Sequence, residues 1–381
     1  MDSMRILIAP DKFKGSLTAA EAASAIAQGA LRVYPDAVVT QFPIADGGEG
    51  TLEAAVSAGY EERLNAVVGP ILAPVGAAWA LLDPRTDSGT EPVVAVIETA
   101  QASGLEHMEA SPANALRAHS YGCGQLIAAA LDAGATEIVL GLGGSAMTDG
   151  GSGALRALGL IPLDAAGTIV PLGGGSLDQV SRLDMSGLDP RLERTTFRIA
   201  VDVQNPLYGP DGAAHVFGPQ KGADQEGVEQ LDAGLRNWAS VLREATGRDV
   251  NVAGAGAAGG FPASFLALSN AQLEGGFALV AGLTDLSGRL DTADLVITGE
   301  GSLDSQSLAG KAPIALADAA SDRGIPVLVV AGRILVSMEE LAEHGVQAAA
   351  QLLDVARGPE DAMGNAGTYL TRVTMQLLEG A

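Results

Sequence analysis

The chain holds only four lysines, and each stands in a loop rich in glycine or acid: Lys12 and Lys14 in APDKFKGS, Lys221 in GPQKGAD, and Lys311 in GEGSLDSQSLAGKAP. The other 18 of its 22 basic residues are arginines, spread over predicted helices and turns. Lysine is a compact point charge on a flexible stem that suits phosphate oxygens, whereas arginine offers a planar fork. Lysine kept for three loops therefore points to phosphate handling, against the plainer explanation of drift in an arginine-rich chain.

Acids accompany these cations. DGGEG sets Asp46 and Glu49 three residues apart around a tight glycine turn. Two carboxylates at a strand end can hold Mg²⁺, often through water, or supply a base for a hydroxyl. Glu49 would also serve simply as a first-turn helix acid. In GLGGSAMTDGG, Gly143, Gly144 and Ser145 can offer bare N–H groups and a hydroxyl to phosphate, and Asp149 can reach a metal or a substrate hydroxyl. It is not a Walker A loop, and Ser305 stands where that pattern would need a glycine before Lys311. Glu300 and Asp304 share a segment with Lys311, and Pro313 sits where an early helical position would be, so Lys311 lies at a helix N-terminus. Carboxylates for metal and a cation for phosphate on one segment suit phosphoryl transfer. The structural alternative is an intraloop salt bridge.

Five segments share one plan of apolar strand, polar loop and, usually, helix: Asp11–Ser16, Asp46–Gly50, Gly143–Gly151, Asp202–Asn205 and Gly299–Lys311. In open α/β sheets such loops collect at the carboxyl ends of strands, where ligands bind. One aspartate after one strand is usually a helix cap; five are harder to dismiss. MRILIAP reads as a buried parallel strand, and Thr18 with Glu21 forms a capping box that starts a helix over 19–34. AVVTQFPI follows as a strand, and the alternation predicts a doubly wound α/β sheet. Residues 63–98 instead alternate short β-like runs with Gly, Pro and Asp turns, as in a mixed sheet. One helix is expected over 114–133 and a long polar one over 224–246. The α/β rhythm returns near residue 286 with DLVITG, GIPVLVVAG and GVQAAAQLL. The expected organisation is therefore a discontinuous doubly wound parallel-sheet domain of residues 1–66 plus 286–381, and an inserted mixed α/β domain of residues 67–285.

Composition narrows the partners. A formal charge of −24 argues against nucleic acid or an anionic membrane, and it means that any anion site must be built locally. Cys123 is the only cysteine, so no intrachain disulfide forms and a reducing cytoplasm is the natural compartment. No apolar run approaches the ~20 residues that span a bilayer. His107, His119, His215 and His344 are isolated, which disfavours zinc. Gly254, Gly256 and Gly259 match G-x-G-x-x-G, but RDVNVA before them is a poor strand; an NAD-dependent hydroxyacid dehydrogenase is a minor alternative.

The segments APDKFKGSLTAAEAA, PIADGGEGT, SYGCGQLI, GLGGSAMTDGG, DVQNPLYGPDGAAHVFGPQKGA, GAGAAGG and VITGEGSLDSQSLAGKAP resemble, in order, the bacterial type I glycerate kinases, from residue 4 to about residue 350. The resemblance implies transfer of the ATP γ-phosphoryl group to D-glycerate at the 2-hydroxyl, with Mg²⁺, on a two-domain α/β protein with one flavodoxin/Rossmann-like domain, one mixed domain and a cleft between them. Glycerate 3-kinase activity and a non-catalytic sugar-acid sensor are the alternatives, and a homodimer is compatible with it. Carried onto this chain, the resemblance implies that Lys14, with Asp11 and Ser16, orients glycerate or the transferred group. Lys12 stands at a position where the family also has small polar residues. The base and metal ligands are sought among Asp46, Glu49 and Asp202, with Asp149, Glu300 and Asp304 as further metal candidates. Gly143, Gly144, Ser145 and Lys311 would contact ATP phosphates, while Asn205 and Lys221 would contact substrate.

Overall fold

The structure, a computed structural model, describes residues 3–84, 91–308 and 310–380, with Gln306 described in its backbone alone. Residues 85–90, part of one turn expected within 63–98, lie outside the described residues. The fold is α/β, with a parallel sheet, a mixed sheet and a two-stranded antiparallel pair among the described residues, and the chain divides into two compact units. The first runs through Asp46, takes up Glu53–Ala58 and resumes at Val280; the second comprises Gly47–Leu52 and Gly59–Leu279.

The first unit is a five-stranded parallel sheet in the order Val346–Gln351, Val327–Ile334, Leu295–Leu303, Arg5–Ile8, Val38–Gln41. Its central strands are apolar on both faces: Ile6, Leu7, Ile8, Val296 and Ile297 are all buried, as a sheet covered on both sides demands. The capping box forms as the sequence predicts, with Thr18 accepting from the Glu21 N–H and Glu21 from the Thr18 N–H. It opens the helix Ala19–Val33, which lies against Ala366–Gly380. Contact is close at Gly29, where a Cβ would stand 2.6 Å from the Thr371 carbonyl. Strand order reverses between Arg5–Ile8 and Leu295–Leu303: from the first the chain moves to one edge, from the second to the other. Such a switch point leaves a crevice beyond the strands' carboxyl ends.

The second unit holds a six-stranded mixed sheet. Asn270–Glu274, Thr196–Ala200, Glu137–Gly141 and Val94–Glu98 run parallel, and Pro74–Leu82 and Glu61–Val68 complete it antiparallel. The long polar helix is Gln225–Thr246, capped by Asp224 through the Gly227 N–H and closed by Gly247 in the left-handed region. It buries Trp238, whose indole N–H reaches the Gly150 carbonyl at 3.2 Å. Burying a large side chain contributes roughly 1.5–3 kcal/mol, provided its polar atom is satisfied.

One expectation needs correction. The helix over 114–133 is two helices, Pro112–Arg117 and Tyr121–Asp132. The break has a physical reason: Ser120 turns its N–H and hydroxyl away from the helical ladder onto Asp149, at 2.9 and 2.8 Å.

Candidate active site

In the first unit the loop after Arg5–Ile8 is stitched to the neighbouring strand. Asp11 N–H donates to the Gly299 carbonyl and the Thr298 hydroxyl donates to the Ala9 carbonyl. Gly301 offers no side chain, so Phe13 and Lys14 settle against it; a Cβ there would stand 3.2 Å from the Lys14 nitrogen. Phe13 is buried as the anchor, Gly15 takes the left-handed turn, and Ser16 donates its hydroxyl to the Phe13 carbonyl at 2.9 Å. Ser16 thus shapes the loop, while Lys14 projects exposed from it.

Three carboxylates converge at this switch point. Asp11 is buried, and burial first, then the charge of Asp46, raises its carboxyl to about 7; Glu300 adds to the rise, and the Lys12 N–H and charge oppose it. Glu300 is also raised, chiefly by burial, with Lys311 and the Ser307 hydroxyl opposing and Asp304 and Asp46 adding. Glu300 Oε1 is buried without a hydrogen-bond partner. Buried polar atoms are rarely left so. Asp304 accepts from the Ser307 N–H at 3.3 Å, which ties it to the turn that follows. Lys311 caps Ala312–Ser321 with Pro313 in the first turn, as the sequence predicts.

In the second unit two glycine loops lie backbone to backbone. A Cβ on Gly143 would come within 2.8 Å of Gly48 Cα and 2.9 Å of Glu49 N, and one on Gly144 within 2.9 Å of Glu49 Oε1. Gly47, in the left-handed region, has Ala200 and Gly276 where a side chain would go. Glu98 holds this arrangement. It closes a wholly buried strand and accepts from the N–H groups of Gly50 and Leu52 at 2.9 and 2.8 Å. Sequence reasoning passed over Glu98; its signal was an acid ending an otherwise apolar run.

Several candidates prove to be spent on the fold. Asp149 is fully buried and accepts from Ser120 N–H and hydroxyl, Gly151 N–H and Gly153 N–H, so it ties together the starts of Tyr121–Asp132 and Ser152–Ala157. Lys221 is buried too, with its ammonium on the Met147 carbonyl at 2.6 Å and Ser145 Oγ at 3.4 Å; burial pushes it down to about 7 against the pull of Asp149. It braces the glycine loop from beneath. Asn205 bridges its own loop, donating to the Asp211 carbonyl, and Asp202 accepts from Gly276 N–H at 2.8 Å while remaining exposed. The glycines at 254, 256 and 259 lie where a side chain would strike Val201, Pro206 and Met147, and no described strand leads into them. They serve close packing. Cys123 is buried, its thiol pushed up to about 12 by desolvation and turned to the Thr99 carbonyl at 3.5 Å.

An α/β chain whose first unit gathers carboxylates at a parallel-sheet switch point, and whose second unit carries paired glycine loops, has the makings of a phosphotransferase. The profile of the Glycerate kinase family matches residues 6–380, and the chain belongs to this family. It is 44% identical to glycerate 2-kinase of Escherichia coli over 92% of this chain and 91% of that one. It is 43% identical to a glycerate kinase of Bacillus subtilis, over 98% and 97%. A crystal structure provisionally assigned as glycerate kinase 2 of Salmonella typhimurium superposes with a TM-score of 0.83 at 40% identity, covering 100% of this chain and 99% of that one. Among the described residues no helix is long and apolar enough to cross a membrane.

Proposed function

We propose that this chain transfers the γ-phosphoryl group of ATP to D-glycerate at its 2-hydroxyl, giving 2-phosphoglycerate and ADP. The observation that carries the reading is the Asp11–Asp46–Glu300 cluster at the switch point of the first unit. Carboxylates gathered under burial call for a cation, and phosphoryl transfer calls for one that neutralises phosphate. Support for the 2-hydroxyl comes from the Escherichia coli relative, which is named for that position.

Mg²⁺ fits the residues present. Among the described residues no trio of His, Cys, Asp and Glu already forms a metal cage. Mg²⁺ takes one or two carboxylates and completes its shell with water and substrate phosphates. Glu300, with its partnerless Oε1, is the best ligand, and Asp46 or Asp11 would be the second. Asp149 does not fit, its oxygens being taken by N–H and O–H donors. When bound, the ion would neutralise charge developing on the transferred group.

The roles of the chain's own residues follow. Asp46, only half-buried, accepts the proton of the glycerate hydroxyl, and Lys14 with Lys12 draws in the carboxylate or the transferred group. Lys311, at a helix start, faces donor phosphates. From the second unit, Gly143, Gly144 and Ser145 offer donors, and Glu49 and Asp202 offer exposed carboxylates. On this reading the two units act as the two domains of the enzyme. Lys221 and Asp149 position the glycine loop rather than touch substrate.

A coupled ADP-release assay with D-glycerate, L-glycerate and glycolate tests the activity, and phosphorus NMR of the product tests the position. ADP released with D-glycerate and abolished by chelation of Mg²⁺ is the expected result. Nicotinamide binding without ATP consumption, or glycerate binding without turnover, would instead favour a dehydrogenase or a sensor. Lys14→Ala and Asp46→Asn should each cut turnover at least ~100-fold, the scale of losing a positioned charge or base.

A further inference from the structure

A second group of basic side chains lies in the second unit. Arg117, His119 and Arg156 line one pocket of about 470 Å³, together with apolar side chains that include Leu72, Leu116 and Leu172. No aspartate or glutamate lines it among the described residues. In a chain of net charge −24 two arginines on one pocket concentrate positive charge, with the buried Asp149 acting on His119 from behind.

None of the three is explained by the fold alone. The Arg117 guanidinium makes no hydrogen bond or ion pair among the described residues. Arg156 gives one donor to the Val170 carbonyl at 2.9 Å, which leaves most of its fork unused. His119 is 1% exposed, and its Nδ1 faces the Tyr121 N–H at 3.3 Å, so the neutral ring carries its proton on Nε2. That Nε2 is buried with no partner. An orphan donor beside two underused arginines describes a site for an oxyanion. The size suits a small metabolite, and the leucines supply walls for a carbon skeleton.

We propose that this pocket binds the phosphate of a phosphorylated small molecule between Arg117, Arg156 and the Nε2–H of His119. The phosphate could belong to the nucleotide donor or to a separate organic phosphate; the chemistry of recognition is the same.

Titration calorimetry of the full chain with inorganic phosphate, phosphoglycerate and ATP, comparing wild type with Arg117→Glu and Arg117→Gln, tests the proposal. At least one of the three ligands should bind at least ~10-fold more weakly to Arg117→Glu, with a smaller loss in Arg117→Gln, as expected for a desolvated charge-assisted contact. Loss confined to ATP assigns the pocket to the donor. Loss for phosphate and phosphoglycerate with ATP unchanged assigns it to a separate ligand. Unchanged isotherms in both variants, or no binding of any ligand by wild type, overturn the proposal. Among the described residues the Arg117 guanidinium makes no bond, so both variants should melt with wild type; should Arg117→Glu melt early, Arg117→Gln carries the comparison. The readout is binding, so a chain that failed to phosphorylate glycerate would still answer the question.

Discussion

Lys221 and Met147 are joined by a buried hydrogen bond of 2.6 Å, from an ammonium to a backbone carbonyl inside the glycine loop. The lysine is held at about 7, below its ordinary 10.5, because burial penalises its charge. Between those values the unfolded chain carries a proton that the folded chain lacks, so stability owed to this residue rises with pH. The slope approaches about 1.4 kcal/mol per pH unit. Denaturant unfolding from about pH 7.5 to 9 should show wild type gaining on Lys221→Met. Parallel pH profiles would contradict this.

Asp11 runs the other way. Its carboxyl sits at about 7, above the ordinary 3.8, so between those values the folded chain holds the extra proton and stability through Asp11 falls as pH rises. At pH ~8 Asp11→Asn should unfold later than wild type, by on the order of 2 kcal/mol, while turnover falls by ~100-fold. A variant that is both active and no more stable would remove Asp11 from the site.

Glu98 should behave as a positioning residue. Glu98→Ala strips the acceptor from two N–H groups, each worth about 1–3 kcal/mol when buried and unmet. The displaced loop should lower kcat/KM for glycerate by ~10–100-fold. Glu98→Gln keeps an acceptor oxygen and should restore most of the loss. Failure of that rescue, with the melting temperature intact, would mean the charge itself acts in the reaction.

Gly143→Ala forces a methyl against Gly48 and Glu49. Calorimetric melting should show about 1–3 kcal/mol of destabilisation, the usual cost of overpacking. If these loops serve the reaction as proposed, the steady-state rate should fall further than that loss of folded protein explains, since the two are pushed apart.

Much of this was legible beforehand, and the misses share a cause. Strand runs such as MRILIAP and TEIVLGL, the Thr18–Glu21 box and Pro313 are local signals, and local chemistry decides them. Lys221 and Asp149 misled because a charged residue in a glycine loop looks the same in one dimension whether it faces solvent or backbone. Only packing shows that Asp149 spends itself on two helix starts. The break at Ser120 is the same event seen from the other partner. Glu98 was hidden because its ligands, Gly50 and Leu52, lie 48 and 46 residues away.

The pairing of Ile6 with Leu295 has a consequence for how the molecule is made. The sheet bearing Asp11 and Glu300 needs strands from both sides of the long intervening stretch, so the ribosome has emitted most of the chain before that sheet can close. The stretch from Gly59 to Leu279 emerges whole in the meantime and can consolidate by itself, since domains generally fold as units during synthesis. Nascent protein should accordingly acquire its carboxylate trio last.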